Sequence, residues 1–158
     1  MDGDGDAEAV LLADEQATLT MGARLAPLLR AGDVVTLRGT LGAGKTTFAR
    51  GLLAALGLEG EAPSPSFAIV VAYEPPDVRL AIAHVDLYRL ETADEVEELG
   101  LEEALADGAL IVEWPERAGP AAWPQALALT LEASPGGGRR LTWAAGAAWG
   151  GRWPPLTP

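Results

Sequence analysis

Apolar positions along the chain follow two rhythms, helical and strand-like, separated by clusters of glycine, proline and aspartate. From Asp14, a good helix cap, Leu19, Ala23, Ala26 and Leu29 recur at helical spacing, with Pro27 expected to kink or end the helix. Ala31-Gly32-Asp33 predicts a turn, and the β-branched stretch 34–38 a short strand. Glycine-rich residues 39–44 come next. They open onto a helical run carrying Phe48, Leu52, Leu53 and Leu56, which Gly57 is placed to stop.

A proline-containing loop over 61–65 leads into an apolar strand expected at 67–73, and Pro75-Pro76-Asp77 marks the next turn. Residues 79–87 read as a buried strand, whose alternation sets Ile82, His84 and Asp86 on one side and Ala81, Ala83, Val85 and Leu87 on the other. Thr92-Ala93-Asp94-Glu95 fits a capping box, so an acidic helix reaching Leu105 should follow, with Val96, Leu99 and Leu105 inward. Residues 109–112 form another apolar strand, ending at Glu113-Trp114-Pro115. Segments 127–131 and 139–143, joined by 134–138, read as an antiparallel hairpin. This order predicts an α/β sheet with a parallel centre, antiparallel edge strands and helices on both faces.

At 158 residues and 49% hydrophobic, the chain is expected to form one domain over 1–158, with flexible ends at 1–7 and 149–158. No apolar run approaches the roughly 20 residues of a membrane span, and Met1-Asp2-Gly3-Asp4 lacks the basic start of a signal peptide. A cytosolic location follows as the expectation. Cysteine is absent and histidine occurs once, so a bound metal should be oxygen-ligated. The net charge of −12 opposes direct capture of a phosphate backbone. Ten of the eleven basic residues are arginines, and the only lysine is Lys45.

That lysine stands in Gly39-Thr40-Leu41-Gly42-Ala43-Gly44-Lys45-Thr46, a P-loop pattern placed between a predicted strand and a predicted helix. Its glycines let backbone N–H groups turn toward phosphate oxygens, Lys45 reaches the β- and γ-phosphates, and the Thr46 hydroxyl ligates Mg2+. ATP and Mg2+ are therefore the expected ligands, with Gly42, Ala43, Gly44, Lys45, Thr46 and Thr47 around the nucleotide. Magnesium also needs a carboxylate at the end of an apolar strand, and both Asp86 and Glu113 qualify. Spacing does not choose between them. Ser66, in Ser64-Pro65-Ser66, sits where nucleotide switches sense the γ-phosphate. His84 shares a face with Asp86, but a lone histidine in an apolar strand is ordinarily a hydrogen-bonded structural residue, and its role stays open. Trp114 either packs on the core or covers the nucleotide.

Four blocks together resemble the TsaE family: Asp14-Glu15-Gln16-Ala17-Thr18-Leu19; the extended loop Leu41 to Phe48 with Arg50-Gly51; Ser64-Pro65-Ser66-Phe67; and His84-Val85-Asp86-Leu87-Tyr88-Arg89-Leu90 with Val112-Glu113-Trp114-Pro115. The resemblance implies a P-loop NTPase-like fold and a cytosolic ATPase working with the TsaB and TsaD proteins. That machinery forms threonylcarbamoyladenosine beside the anticodon of tRNAs reading codons that begin with A, with tRNA reached only through the complex. It also implies Glu113 as the magnesium acid, Asp86 as an acid needed for hydrolysis, catalytic roles for Lys45, Asp86 and Glu113, and Glu15 at the nucleotide's border. Thr40 departs from a frequent aspartate, Ser66 from the usual threonine and Val85 from a bulkier residue. The C-terminal hairpin is weakly matched and carries no expected function.

Two other classes fit a P-loop. A small-molecule kinase needs an acceptor pocket and an arginine-bearing lid, which the scattered Arg89 and Arg117 do not define. A nucleotide-sensing subunit with little hydrolysis is the other. A GTPase is disfavoured, since its guanine-reading motif needs asparagine and the chain has none.

Overall fold

The structure, a computed structural model, describes residues 9–154. Seven strands form one sheet: β1 (Ala9–Leu12), β2 (Val34–Arg38), β3 (Val70–Tyr73), β4 (Ala81–Asp86), β5 (Gly108–Glu113), β6 (Leu127–Ala133) and β7 (Arg139–Ala145). The order is β1-β7-β6-β2-β5-β4-β3. The centre, β6-β2-β5-β4, is parallel, while β3, β7 and β1 run antiparallel to their neighbours. This is the expected fold class. The hairpin exceeds its prediction by two residues per strand, and β1, which no pattern announced, pairs with β7.

The two sheet faces carry different helices. Alternation along β2 sends Val35 and Leu37 to one face, against α1 (Glu15–Leu25) and α2 (Lys45–Ala55), and Val34 to the other. The second face is covered by the short α3 (Ala93–Glu97) and α4 (Leu101–Ala104). Along β4 the split falls as predicted, with Ile82 in the first core and Ala83, Val85 and Leu87 in the second.

Helix α1 starts at Asp14, whose Oδ1 accepts from Ala17 N at 2.9 Å, and gives way to a 3-10 turn, Ala26–Leu28, at Pro27. Ala26 and Leu29, just past the helix, are buried as expected, but the buried face of the helix itself is rotated from the predicted one. Leu19 and Ala23 are only half-buried, while Thr18, Met21, Gly22 and Leu25 are covered. The reason is a close crossing with α2: a Cβ on Gly22 would lie 2.2 Å from Phe48 O, and one on Gly51 would lie 2.1 Å from Leu19 O. Small residues at the crossing carry no hydrophobic signature, so the spacing of larger side chains points to the wrong stripe.

Three other expectations are corrected. The strand predicted at 67–73 begins only at Val70, because a turn holds residues 66–69: Ile69 N donates to Pro65 O at 2.7 Å and Ile69 adopts φ 70°. Phe67 is left 89% exposed. The acidic helix does form its capping box on Thr92 and Glu95, but Gly100 at φ 66° divides it, so Leu101 is buried and Leu99 and Leu105 are half-buried. The tail from Trp149 is not loose as far as residue 154. Trp149 and Trp153 join the first core, and Arg152 forms a two-pronged ion pair with Asp33 at 2.7 and 3.0 Å. Residues 1–7 and the tail's last four residues lie outside the described residues.

The helix crossing yields a test with an inverted sign. In a helix interior Gly→Ala normally stabilises by about 1 kcal/mol. At Gly51 the added methyl meets backbone that cannot swing away, so Gly51→Ala is expected to cost about 1–3 kcal/mol in urea unfolding. A stabilised variant would mean that the helices are not in this contact.

Candidate phosphate-binding site

The link from β2 to α2 is the glycine loop. Gly44, immediately before α2, sits at φ 106°, a left-handed conformation that a side chain would strain, and Gly39 and Gly42 also have positive φ. The loop therefore delivers its backbone to the N-terminus of α2, where unpaired N–H groups and the helix dipole favour an anion. Lys45 Nζ donates to Gly39 O at 2.7 Å and Thr40 O at 2.9 Å, and lies 4.4 Å from the centre of the Trp114 ring. Burial pushes its ammonium below the usual lysine range, while the negative charges of Glu113, Asp86 and Glu116 pull the other way.

Both acids that the sequence offered stand at this place. Asp86 ends β4 and Glu113 ends β5, and the two are register partners at the carboxyl edge of the parallel strands, where ligands of such sheets bind. They differ in surroundings. Glu113, 2% exposed, accepts from Thr46 Oγ1 at 3.1 Å to each oxygen and lies 2.7 Å, through Oε2, from His84 Nε2. Asp86 accepts from Tyr88 N at 2.9 Å on Oδ1 and from Ser66 Oγ at 3.3 Å on Oδ2. Ser66 in turn lies 2.8 Å from Ser64 Oγ, and Asp86 N donates to Ile69 O at 2.8 Å, so the 64–69 turn is seated on the end of β4.

These groups border one cleft of about 410 Å³, lined also by Glu15, Gly42, Gly44 and Thr47. Ala43 is the exception among the expected nucleotide contacts: it is buried in the core beneath the loop and does not line the cleft. Trp114 adopts φ 60°, ψ 50°, rare for a bulky residue, and lines the cleft with its ring also packed on Tyr88 at 4.8 Å between centroids.

One residue on the wall escaped sequence reasoning. Arg139, at the start of β7, donates to Ala43 O, Gly42 O and Gly138 O, each at 2.9 Å. It thus pins the loop from the hairpin that was expected to carry no function. Its only signal is an arginine after a glycine run, 96 residues from the carbonyl it binds, and no spacing rule spans that gap.

The donor set suits magnesium. Thr46 Oγ1 and the Glu113 carboxylate are hard oxygen donors already within 3.1 Å of each other, beside the phosphate loop. Among the described residues no cluster of three His, Cys, Asp or Glu side chains could hold an ion alone. Among those residues, too, no helix is long and apolar enough to cross a membrane.

Comparison with known proteins identifies the family. The family model described as threonylcarbamoyl adenosine biosynthesis protein TsaE matches residues 12–141. The protein named tRNA threonylcarbamoyladenosine biosynthesis protein TsaE from Streptomyces coelicolor is 48% identical over 97 residues, covering 61% of this chain and 66% of its own. The protein of that name from Mycobacterium tuberculosis is 45% identical over 107 residues, 63% of each chain. The one from Treponema pallidum is 34% identical over 128 residues, 80% of this chain and 93% of its own. The crystal structure of Bacillus subtilis YdiB superimposes with a TM-score of 0.72 at 29% identity, over 89% of this chain and 86% of that one. The matched region runs from the end of β1 into β7 and takes in the phosphate loop, the 64–69 turn and both strand-end acids, and the chain belongs to the TsaE family.

Proposed function

We propose that the chain is a Mg-dependent ATPase that supports formation of threonylcarbamoyladenosine on tRNA. The observation that carries the reading is the convergence of Lys45, Thr46 and Glu113 at the foot of the phosphate loop, with Asp86 in register beside Glu113. Family membership supports the pathway, since the relatives are named for threonylcarbamoyladenosine biosynthesis.

In this reading Lys45 leaves the carbonyls of Gly39 and Thr40 and places its charge on the β- and γ-phosphates. Thr46 and Glu113 hold magnesium, which when bound neutralises charge on the phosphate oxygens. Asp86 is fixed by Tyr88 N and Ser66 Oγ and orients the attacking water. Ser66, seated on Asp86, links the γ-phosphate site to the exposed turn that carries Phe67. Glu15, Thr47 and Arg139 border the rest of the nucleotide. The partners are the TsaB and TsaD proteins, and the tRNAs, those reading codons that begin with A, are met only through that complex, as a net charge of −12 favours. The site of action is the cytoplasm.

Lys45→Ala is expected to abolish turnover or weaken Mg-ATP binding at least tenfold by nucleotide titration, because no other lysine exists to replace it. Wild-type affinity together with wild-type turnover would remove the assignment.

Glu113→Ala and Asp86→Ala should both lose hydrolysis, but only Glu113→Ala should strongly raise the magnesium needed for nucleotide binding. A direct ligand acts in the ground state, whereas a water-orienting acid is felt in the transition state. Magnesium titrations of the two variants check the order, and the reverse order exchanges the roles.

Hydrolysis is expected to be slow alone and to rise on addition of TsaB and TsaD, with repeated rounds of tRNA modification requiring the wild-type chain and ATP. The measurement is phosphate release and modified tRNA across a titration of this protein into the pair, with Glu113→Ala as the inactive control. Modification cycling equally well without the chain would end the tRNA reading and leave the ATPase reading standing.

A further inference from the structure

The single histidine is fully buried, and its two ring nitrogens face unlike surroundings. His84 Nε2 lies 2.7 Å from Glu113 Oε2, whereas Nδ1 is buried with no hydrogen-bond partner among the described residues. Its register partners on the flanking strands, Val71 on β3 and Ile111 on β5, are apolar and offer no side-chain donor or acceptor. A carboxylate facing Nε2 calls for a proton on that nitrogen. Nδ1 has no such acceptor to hold a proton.

We propose that His84 is a positioning residue for the metal acid, its Nε2–H donating to Glu113 Oε2. Its consequence lies in the carboxylate. Glu113 is almost free of water contact, so without the imidazole it would be held only by the one Thr46 hydroxyl shared between its two oxygens, and could rotate about its last side-chain bond or recede toward the sheet. With Oε2 held by the ring and Thr46 Oγ1 touching both oxygens, the carboxylate plane is fixed, and Oε1 is the oxygen left without the imidazole bond. A histidine–carboxylate pair with the carboxylate as ligand inverts the more familiar arrangement in which a carboxylate orients a metal-bound histidine, but the ordering principle is the same. The inference rests on the magnesium role proposed for Glu113.

Because there is one histidine, the ¹⁵N imidazole spectrum of the wild-type protein at neutral pH reports this ring alone and needs neither metal nor nucleotide. The expected spectrum is that of a ring carrying its proton at Nε2; an Nδ1–H tautomer or averaged tautomers would overturn the proposal. The second arm uses side-chain reach, since the glutamine amide nitrogen extends about as far as Nε2 and the asparagine one only as far as Nδ1. In His84→Gln the magnesium concentration at half-maximal nucleotide binding should stay within about threefold of wild type, and in His84→Asn it should rise by about 10–100-fold. Nucleotide binding without magnesium should be unchanged in both variants. Equal magnesium dependence in Gln and Asn variants that melt like the wild type would also overturn it. A wild-type protein with no magnesium-dependent nucleotide binding would instead sink the proposed function, and the nitrogen spectrum would still decide the tautomer.

Discussion

A carboxylate removed from water has to find its donors within the protein, and Glu113 takes them from two elements that share no local sequence. Thr46 comes from the first turn of α2 and His84 from the middle of β4, while Glu113 itself ends β5. Leaving a buried charge unpaired costs several kcal/mol. The penalty therefore falls on any arrangement in which α2 slides along the sheet or β4 shifts its register against β5. The phosphate loop is the connection between β2 and α2, and so its position over the strand ends is set by the same demand.

Other contacts hold the loop from its remaining sides. Gly22 and Gly51 let α1 and α2 cross with backbone nearly touching backbone, which fixes the tilt of the helix that Lys45 begins. Arg139 reaches from β7 to the carbonyls of Gly42 and Ala43. The far end of β2 is secured through Asp33 and Arg152, whose guanidinium also stacks 4.2 Å from the Trp149 ring. The C-terminal third of the chain is thus part of the scaffold beneath the site, with the hairpin at the loop and the tryptophans under the sheet.

Local signals were legible in the sequence and cross-chain ones were not. The cap at Asp14, the capping box at Thr92, the glycine loop and the alternation of β4 each depend on residues a few positions apart, and each is present in the structure. The sequence could nominate Asp86 and Glu113 as strand-end acids but could not rank them. Their ranking depends on the neighbours that β4, β5 and α2 bring together. The rotated face of α1, the burial of Trp149 and Trp153, and the role of Arg139 all rest on partners far along the chain. The break at Gly100 is a nearer miss: the helix expected to run on to Leu105 is interrupted there by a glycine at positive φ.

Lys45 is paired within its own loop. A buried ammonium needs partners as much as a buried carboxylate does, and here they are the loop's own carbonyls at Gly39 and Thr40 together with the face of Trp114. All these partners are neutral, and burial still lowers the lysine's proton affinity against the pull of three nearby acids. A phosphate would replace dipoles with full negative charge. Trp114, in a left-handed conformation, lays its ring over that lysine and packs against Tyr88, whose own ring Arg117 approaches to 5.5 Å.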